Sequence, residues 1–129
     1  MIVVDASALV AVVFREPSAT SVLSILQQGG ALRISPINLV EARMVVERRA
    51  LGGVLAEVIA ESRVELVPTN AAQAEAAWDA FRRFGKGRHS ASLNLADCFA
   101  YALAQVSEAP LLYVGTDFAK TDVQSALGV

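Results

Sequence analysis

The chain holds one cysteine, Cys98, and one histidine, His89. A single thiol cannot form an intramolecular disulfide, and one His with one Cys falls short of the ligand set of a zinc centre. Every Ser–His or Cys–His nucleophilic arrangement would have to run through His89. Cys98 sits in an apolar segment with no activating cation beside it and reads as a small core residue, so covalent catalysis is poorly supported. Neither a Gly-x-Gly-x-x-Gly nor a Walker A loop is present, which removes the common nucleotide-binding signatures. No apolar run approaches the roughly 20 residues of a membrane helix, and no basic segment followed by an apolar one marks a signal peptide. Cationic excess is missing too: 11 Lys and Arg stand against 13 Asp and Glu. Any nucleic-acid partner must therefore be met by a local patch. These absences predict a cytoplasmic protein, in a reducing compartment and without membrane contact.

What is present is a chain of 129 residues, expected to form one domain over residues 1–129 and to bury about two thirds of its unfolded surface. Its 54% hydrophobic content is high, and predicts either a very complete core or apolar surface reserved for a partner. Apolar runs at residues 2–4, 31–34, 64–67 and 111–114 read as strands. Between them, residues 7–14, 18–28, 35–49, 54–62, 70–84 and 94–107 read as helices, with Ser35-Pro36 and Asn94 as starts and Gly29-Gly30 and Gly52-Gly53 as breaks. This alternation predicts an α/β fold with a central parallel sheet of about four to five strands flanked by helices. The segment 7–14 is apolar nearly all round, which marks it as buried or as part of an interface.

Four acids punctuate this apolar chain where strands end or helices begin. Asp5 closes the first strand, and Asp117 follows the last one after Gly115-Thr116. Glu41 lies early in the helix that starts near Pro36, and Asp97 lies in the first turn of the helix opened by Asn94. Parallel topology gathers such positions onto one rim of the sheet, where anions crowd only around a cation. Taken singly, Asp97 fits a capping acid and Glu41 a solvated helical glutamate. Taken together, the four predict Mg²⁺ or Mn²⁺, which take oxygen ligands shared with water and phosphate. Ser7 and Thr116 read either as groups that orient ligands or water around the ion or as simple caps and turns, and Asp122 reads as a peripheral fifth acid.

The densest basic run is Arg82, Arg83, Lys86, Arg88 and His89. It fits cations at a helix C-terminus, or a mobile glycine-spaced loop that follows phosphates. On the second reading Lys86 and Arg88 contact phosphates, with His89 at most a further phosphate contact.

Several segments in order resemble one family: Val3-Val4-Asp5-Ala6-Ser7-Ala8-Leu9, Asn38-Leu39-Val40-Glu41-Ala42, Phe84-Gly85-Lys86-Gly87-Arg88-His89, the run from Leu93 through Asn94, Asp97 and Tyr101 to Ala104, and Gly115-Thr116-Asp117-Phe118. They resemble the PIN-domain ribonuclease toxins of bacterial type II toxin–antitoxin systems, the VapC group, across the whole chain. Ser90 stands where a proline is common in that family, and Ala96 where a glycine often precedes the acid. Neither departure removes a ligand. The resemblance implies a PIN fold and metal-dependent endonucleolytic cleavage of RNA, often transfer RNA. It also implies a homodimer and neutralisation by a small cognate antitoxin. It assigns catalysis to Asp5, Glu41, Asp97 and Asp117, with Asp5, Asp97 and Asp117 holding the metal directly. One alternative is a non-catalytic PIN-like module that binds RNA or protein, its acids serving as caps. Another is an aspartyl-phosphate hydrolase, whose second Asp, two residues after the first, is replaced here by Ser7.

Overall fold

In the computed structural model, which describes residues 1–128, four short strands form one parallel sheet with six helices around it. The strands are β1 (Ile2–Val4), β2 (Leu32–Ile34), β3 (Glu65–Leu66) and β4 (Leu111–Leu112), in the order β3-β2-β1-β4. The chain therefore leaves β1 toward β2 on one side and returns to β4 on the other. In an open α/β sheet such a reversal leaves a crevice beyond the strand C-termini. Here it lies between β1, which feeds Asp5, and β4, which leads to Asp117.

Strand β1 and its neighbour β4 are apolar at successive residues because both faces are covered. Val3 and Leu111 pack with helices α5 (Ala71–Phe84) and α6 (Leu95–Ser107). Val4 and Leu112 face the opposite cluster, built from α1 (Ala6–Val13), α2 (Ala19–Leu26), α3 (Pro36–Glu47) and α4 (Gly52–Ser62). Each fully buried Val or Leu contributes about 1.5–3 kcal/mol, so these layers hold the rim firmly in place. Among the described residues, no helix is long and apolar enough to cross a membrane.

The local signals behave as expected where they have a mechanism. The Ser35 hydroxyl accepts from Ile37 N at 3.3 Å and Pro36 occupies the first helical position. Asn70 and Asn94 cap α5 and α6. Other boundaries move. Gly52 and Gly53 open α4 rather than separating it from α3, because the chain turns at Ala50, whose φ is 55°. The third and fourth strands are two residues each. Leu66, on edge strand β3, is exposed.

Of the two readings of the segment 7–14, burial holds for most of α1. Ala6, Ala8, Leu9, Ala11 and Val13 are buried, while Val10, Val12 and Phe14 are partly buried against the same cluster. The Arg49 guanidinium also lies over the Phe14 ring at 4.0 Å. Exposed large apolar side chains occur instead at Val40 and Met44 on α3, Trp78 on α5 and Leu95 at the start of α6. A cavity of about 690 Å³ runs between α3 and the start of α6, lined by Val40, Met44 and Leu95 and reaching Glu41.

Candidate active site

Asp5 leaves β1 in extended conformation and caps α1. Its Oδ2 accepts from Ser7 N at 3.1 Å and Ser7 Oγ at 2.6 Å. The same hydroxyl accepts from Val114 N at 3.0 Å, so Ser7 ties the end of β1 to the segment that leads from β4 to Asp117. Asp5 Oδ1 is buried and has no hydrogen-bond partner. A buried carboxylate oxygen left bare costs energy, and an electropositive ligand is the natural remedy.

Asp97 completes a reciprocal cap at the start of α6. Its N–H donates to Asn94 Oδ1 at 2.8 Å, and its Oδ2 accepts from Asn94 N at 3.0 Å. That accounts for the local sequence Asn94-Leu95-Ala96-Asp97 without any ligand, but the cap engages Oδ2 alone. Asp5, Glu41 and Asp97 line one cavity of about 200 Å³ together with Ser7, Val10 and Val45. Asp117 is exposed on the loop beyond β4, where it precedes a short 3-10 helix, Phe118–Lys120.

The acids oppose one another's ionisation. Burial raises the Asp5 carboxyl above its ordinary range against the pull of the Ser7 bonds. Burial, then the charges of Asp5 and Asp97, push Glu41 up to about 7. Asp97 rises to about 6 through burial and the charges of Asp5 and Asp117, partly offset by the Asn94 backbone bond. The four expected acids thus form one electrostatic group: Asp97 feels both Asp5 and Asp117, and Glu41 feels Asp5 and Asp97. Among the described residues, however, no three His, Cys, Asp or Glu side chains stand close enough together to hold a metal ion. An all-oxygen donor set with one bare buried oxygen suits a hard cation such as Mg²⁺ or Mn²⁺, which would have to draw the carboxylates inward.

The other expected residues are distributed differently. Thr116 is exposed beside Asp117, and the hydrogen bonds to Asp5 and Asp97 come from Ser7 and Asn94 instead. Asp122 lies outside the cluster, where it accepts from the Tyr101 hydroxyl at 2.5 Å and pairs with Arg83 at 2.9 Å. Arg82 and Arg83 also pair with Asp79.

Lys86, Arg88 and His89 are exposed, but their loop is knit together rather than loosely hung. Lys86 N donates to Leu93 O at 2.9 Å and Leu93 N to Phe84 O at 3.0 Å. His89 Nδ1 accepts from Ala91 N at 2.9 Å, and its ring sits edge-on to Phe84. Gly85 is buried, and a Cβ there would come within 2.4 Å of the Phe81 carbonyl and ring. Its glycine serves close packing, which corrects the reading of mobility.

The site also contains a residue missed in the sequence. Asn38, fully buried on α3, donates from Nδ2 to Ala96 O at 2.9 Å. The available signal was its spacing, three residues before Glu41 and so on the same side of the helix.

Comparison with known proteins agrees with this architecture. The PIN domain family model matches residues 2–124. Ribonuclease VapC of Mycolicibacterium smegmatis is 43% identical over 124 residues, covering 94% of this chain and 96% of that protein. The crystal structure of Mycobacterium tuberculosis VapC20, a sarcin–ricin-loop-cleaving toxin, superposes with a TM-score of 0.76 at 16% identity, covering 95% of this chain and 96% of that one. A toxin–antitoxin complex from Klebsiella pneumoniae gives 0.75 at 18% identity, covering 98% of each chain. With the family model spanning nearly the whole sequence and a close relative matched end to end, the chain belongs to the PIN-domain family, in its VapC ribonuclease group.

Proposed function

We propose that the protein is a Mg²⁺- or Mn²⁺-dependent endoribonuclease acting as the toxin of a type II toxin–antitoxin system. The observation that carries this reading is the convergence of Asp5, Glu41 and Asp97 on one cavity, with Asp5 Oδ1 buried and bare. Membership in the VapC ribonuclease group supports the reaction class.

A bound divalent cation supplies Lewis acidity and a water of lowered pKa, which is the chemistry phosphodiester hydrolysis requires. Asp5 and Asp97, joined by Asp117, are the residues that would hold it. Ser7 keeps the Asp5 carboxylate in one orientation by occupying its Oδ2, leaving Oδ1 for the ligand. Glu41, with its carboxyl raised to about 7, can hold or release a proton near neutral pH. No side-chain nucleophile is needed. Lys86 and Arg88 are the cations nearest this end of α6 in sequence that take no part in the ion pairs formed among the described residues. They are assigned to RNA phosphates, with His89 at most beside them. The substrate we favour is transfer RNA or another structured RNA.

The toxin reading brings partners with it. The Klebsiella pneumoniae neighbour is a toxin–antitoxin complex, and a small cognate antitoxin is proposed here likewise, together with a homodimer. The exposed Val40, Met44 and Leu95 beside the α3 groove supply apolar surface for such contacts. The alternative of a non-catalytic module draws on the Asp97 cap, which would exist without any chemistry.

Sequencing of RNA ends after brief expression tests the proposal. Discrete new 5′ ends with the wild type, absent with Asp97→Asn, are expected. Identical end profiles for the two proteins would leave the non-catalytic reading standing.

A further inference from the structure

Helix α3 turns a stripe of Asn38, Ala42 and Val46 into the protein, and all three are completely buried. Two of them are apolar, as the stability of a buried stripe demands. Asn38 is the exception. Its amide donates to Ala96 O at 2.9 Å in the first turn of α6, but Oδ1 is buried with no partner. A half-satisfied amide in a core costs more than an apolar side chain of similar shape, so bulk stability does not explain its presence.

Its location does. Ala96 directly precedes Asp97, and Asn38 lies three residues before Glu41 on α3. The one hydrogen bond thus joins the backbone beside one acid to the helical turn that carries another. Asp5 completes the cavity that these two acids line.

We propose that Asn38 is a positioning residue of the nuclease site, locking the first turn of α6 to the first turn of α3 and so setting the separation of Asp97 and Glu41 for a divalent cation. The proposal rests on the metal-dependent reading above. Groups that orient metal ligands act through geometry, and their removal typically costs about 10–100-fold in metal affinity or activity.

The test uses Asn38→Leu, which keeps the bulk and removes the amide, and Asn38→Ala, which carries the same comparison if Leu is too wide to fold. Circular dichroism and melting report the fold, calorimetric titration with Mn²⁺ alone reports the site, and kcat and KM for RNA report its use. A folded variant is expected to bind Mn²⁺ about tenfold or more weakly and to lose about 10–100-fold in kcat with KM unchanged. Asn38→Leu should also melt no lower than the wild type, since the bare Oδ1 is gone. Folded variants with wild-type Mn²⁺ affinity and kcat would overturn the role of Asn38 while leaving the metal reading intact. A wild-type protein that takes up no Mn²⁺ would overturn both.

Discussion

Two clusters of acid stand on α6 and its surroundings, and they are built in opposite ways. At the rim, Asp5, Glu41 and Asp97 share a cavity without a single cationic side chain lining it, and all three are pushed above their ordinary ranges, by burial first. One turn along α6, Tyr101 donates to Asp122, which also holds Arg83 at 2.9 Å. There burial pushes the Asp122 carboxyl up, but the bonds from Tyr101 and Arg83 outweigh it and the net shift is downward. Paired acids of the second kind fasten the tail to the body. Unpaired acids of the first kind destabilise the protein unless something positive arrives, which is what the proposed metal site supplies.

The sharpest way to break this contrast is Asp97→Asn. The amide keeps an acceptor for Asn94 N, so the fold should survive and melt at or slightly above the wild-type temperature in EDTA. Cleavage should fall by more than about 100-fold, beyond the loss typical of residues that only orient metal ligands. Retention of wild-type cleavage in Mg²⁺ would remove Asp97 from the site.

The next effect is on pH. Glu41 moves from an ordinary 4.5 to about 7, and Asp97 from 3.8 to about 6. Between pH 4 and 7 the unfolded chain releases protons that the folded protein retains, so stability in EDTA should fall as pH rises through this window. Below it, both states are protonated and the penalty vanishes. Mg²⁺ should restore stability most strongly at the alkaline end, because it binds the ionised carboxylates. Asp122 works in reverse: its contribution is present above its ordinary 3.8 and lost as pH falls through the lower folded value. Melting curves from about pH 2 to 8, with and without Mg²⁺, check both slopes, and an EDTA melting temperature that rises steadily from about pH 4 to 7 would contradict the assignment of the rim.

A smaller effect belongs to Asp122→Ala. Losing a charge-assisted contact and leaving the buried Tyr101 hydroxyl with Arg83 alone should cost about 1–2 kcal/mol, several degrees in melting temperature. Cleavage per folded molecule should not change, and a loss like that of Asp97→Asn would merge the two clusters into one site. Smallest is the basic loop. Lys86→Ala and Arg88→Ala should each reduce the magnitude of the salt slope of RNA binding by about 0.7 for a single strand, and an unchanged slope in the double variant would confine these residues to solvent.

Much of the rim was legible because its residues carry local signals. Asp5 ends an apolar run, and Asp97 lies three residues after a capping Asn, so each could be placed at an element boundary before any tertiary contact was known. The sheet then supplied what the sequence could only imply, the reversal of strand order beside β1. Asn38 was given no role because an Asn within a helix has no periodicity of its own; its meaning depends on Ala96, 58 residues away. The exposed apolar surface could not be located from the segment 7–14 for a related reason. An apolar circumference does not reveal which side the neighbouring helices cover, and here α3, α5 and the start of α6 remain uncovered at Val40, Met44, Trp78 and Leu95. Glycine was misread at Gly85, where the close approach of Phe81 rather than mobility requires it.

The central claim is that the strained acids at the rim exist to hydrolyse RNA with a divalent cation. End-group analysis of RNA cut by the purified protein, in EDTA and after Mg²⁺ is added back, tests it most directly. The account predicts no cleavage in EDTA, restoration by Mg²⁺, and products bearing a 5′-phosphate and a 3′-hydroxyl. Cleavage that persists in EDTA, or products ending in 2′,3′-cyclic phosphate, would contradict it.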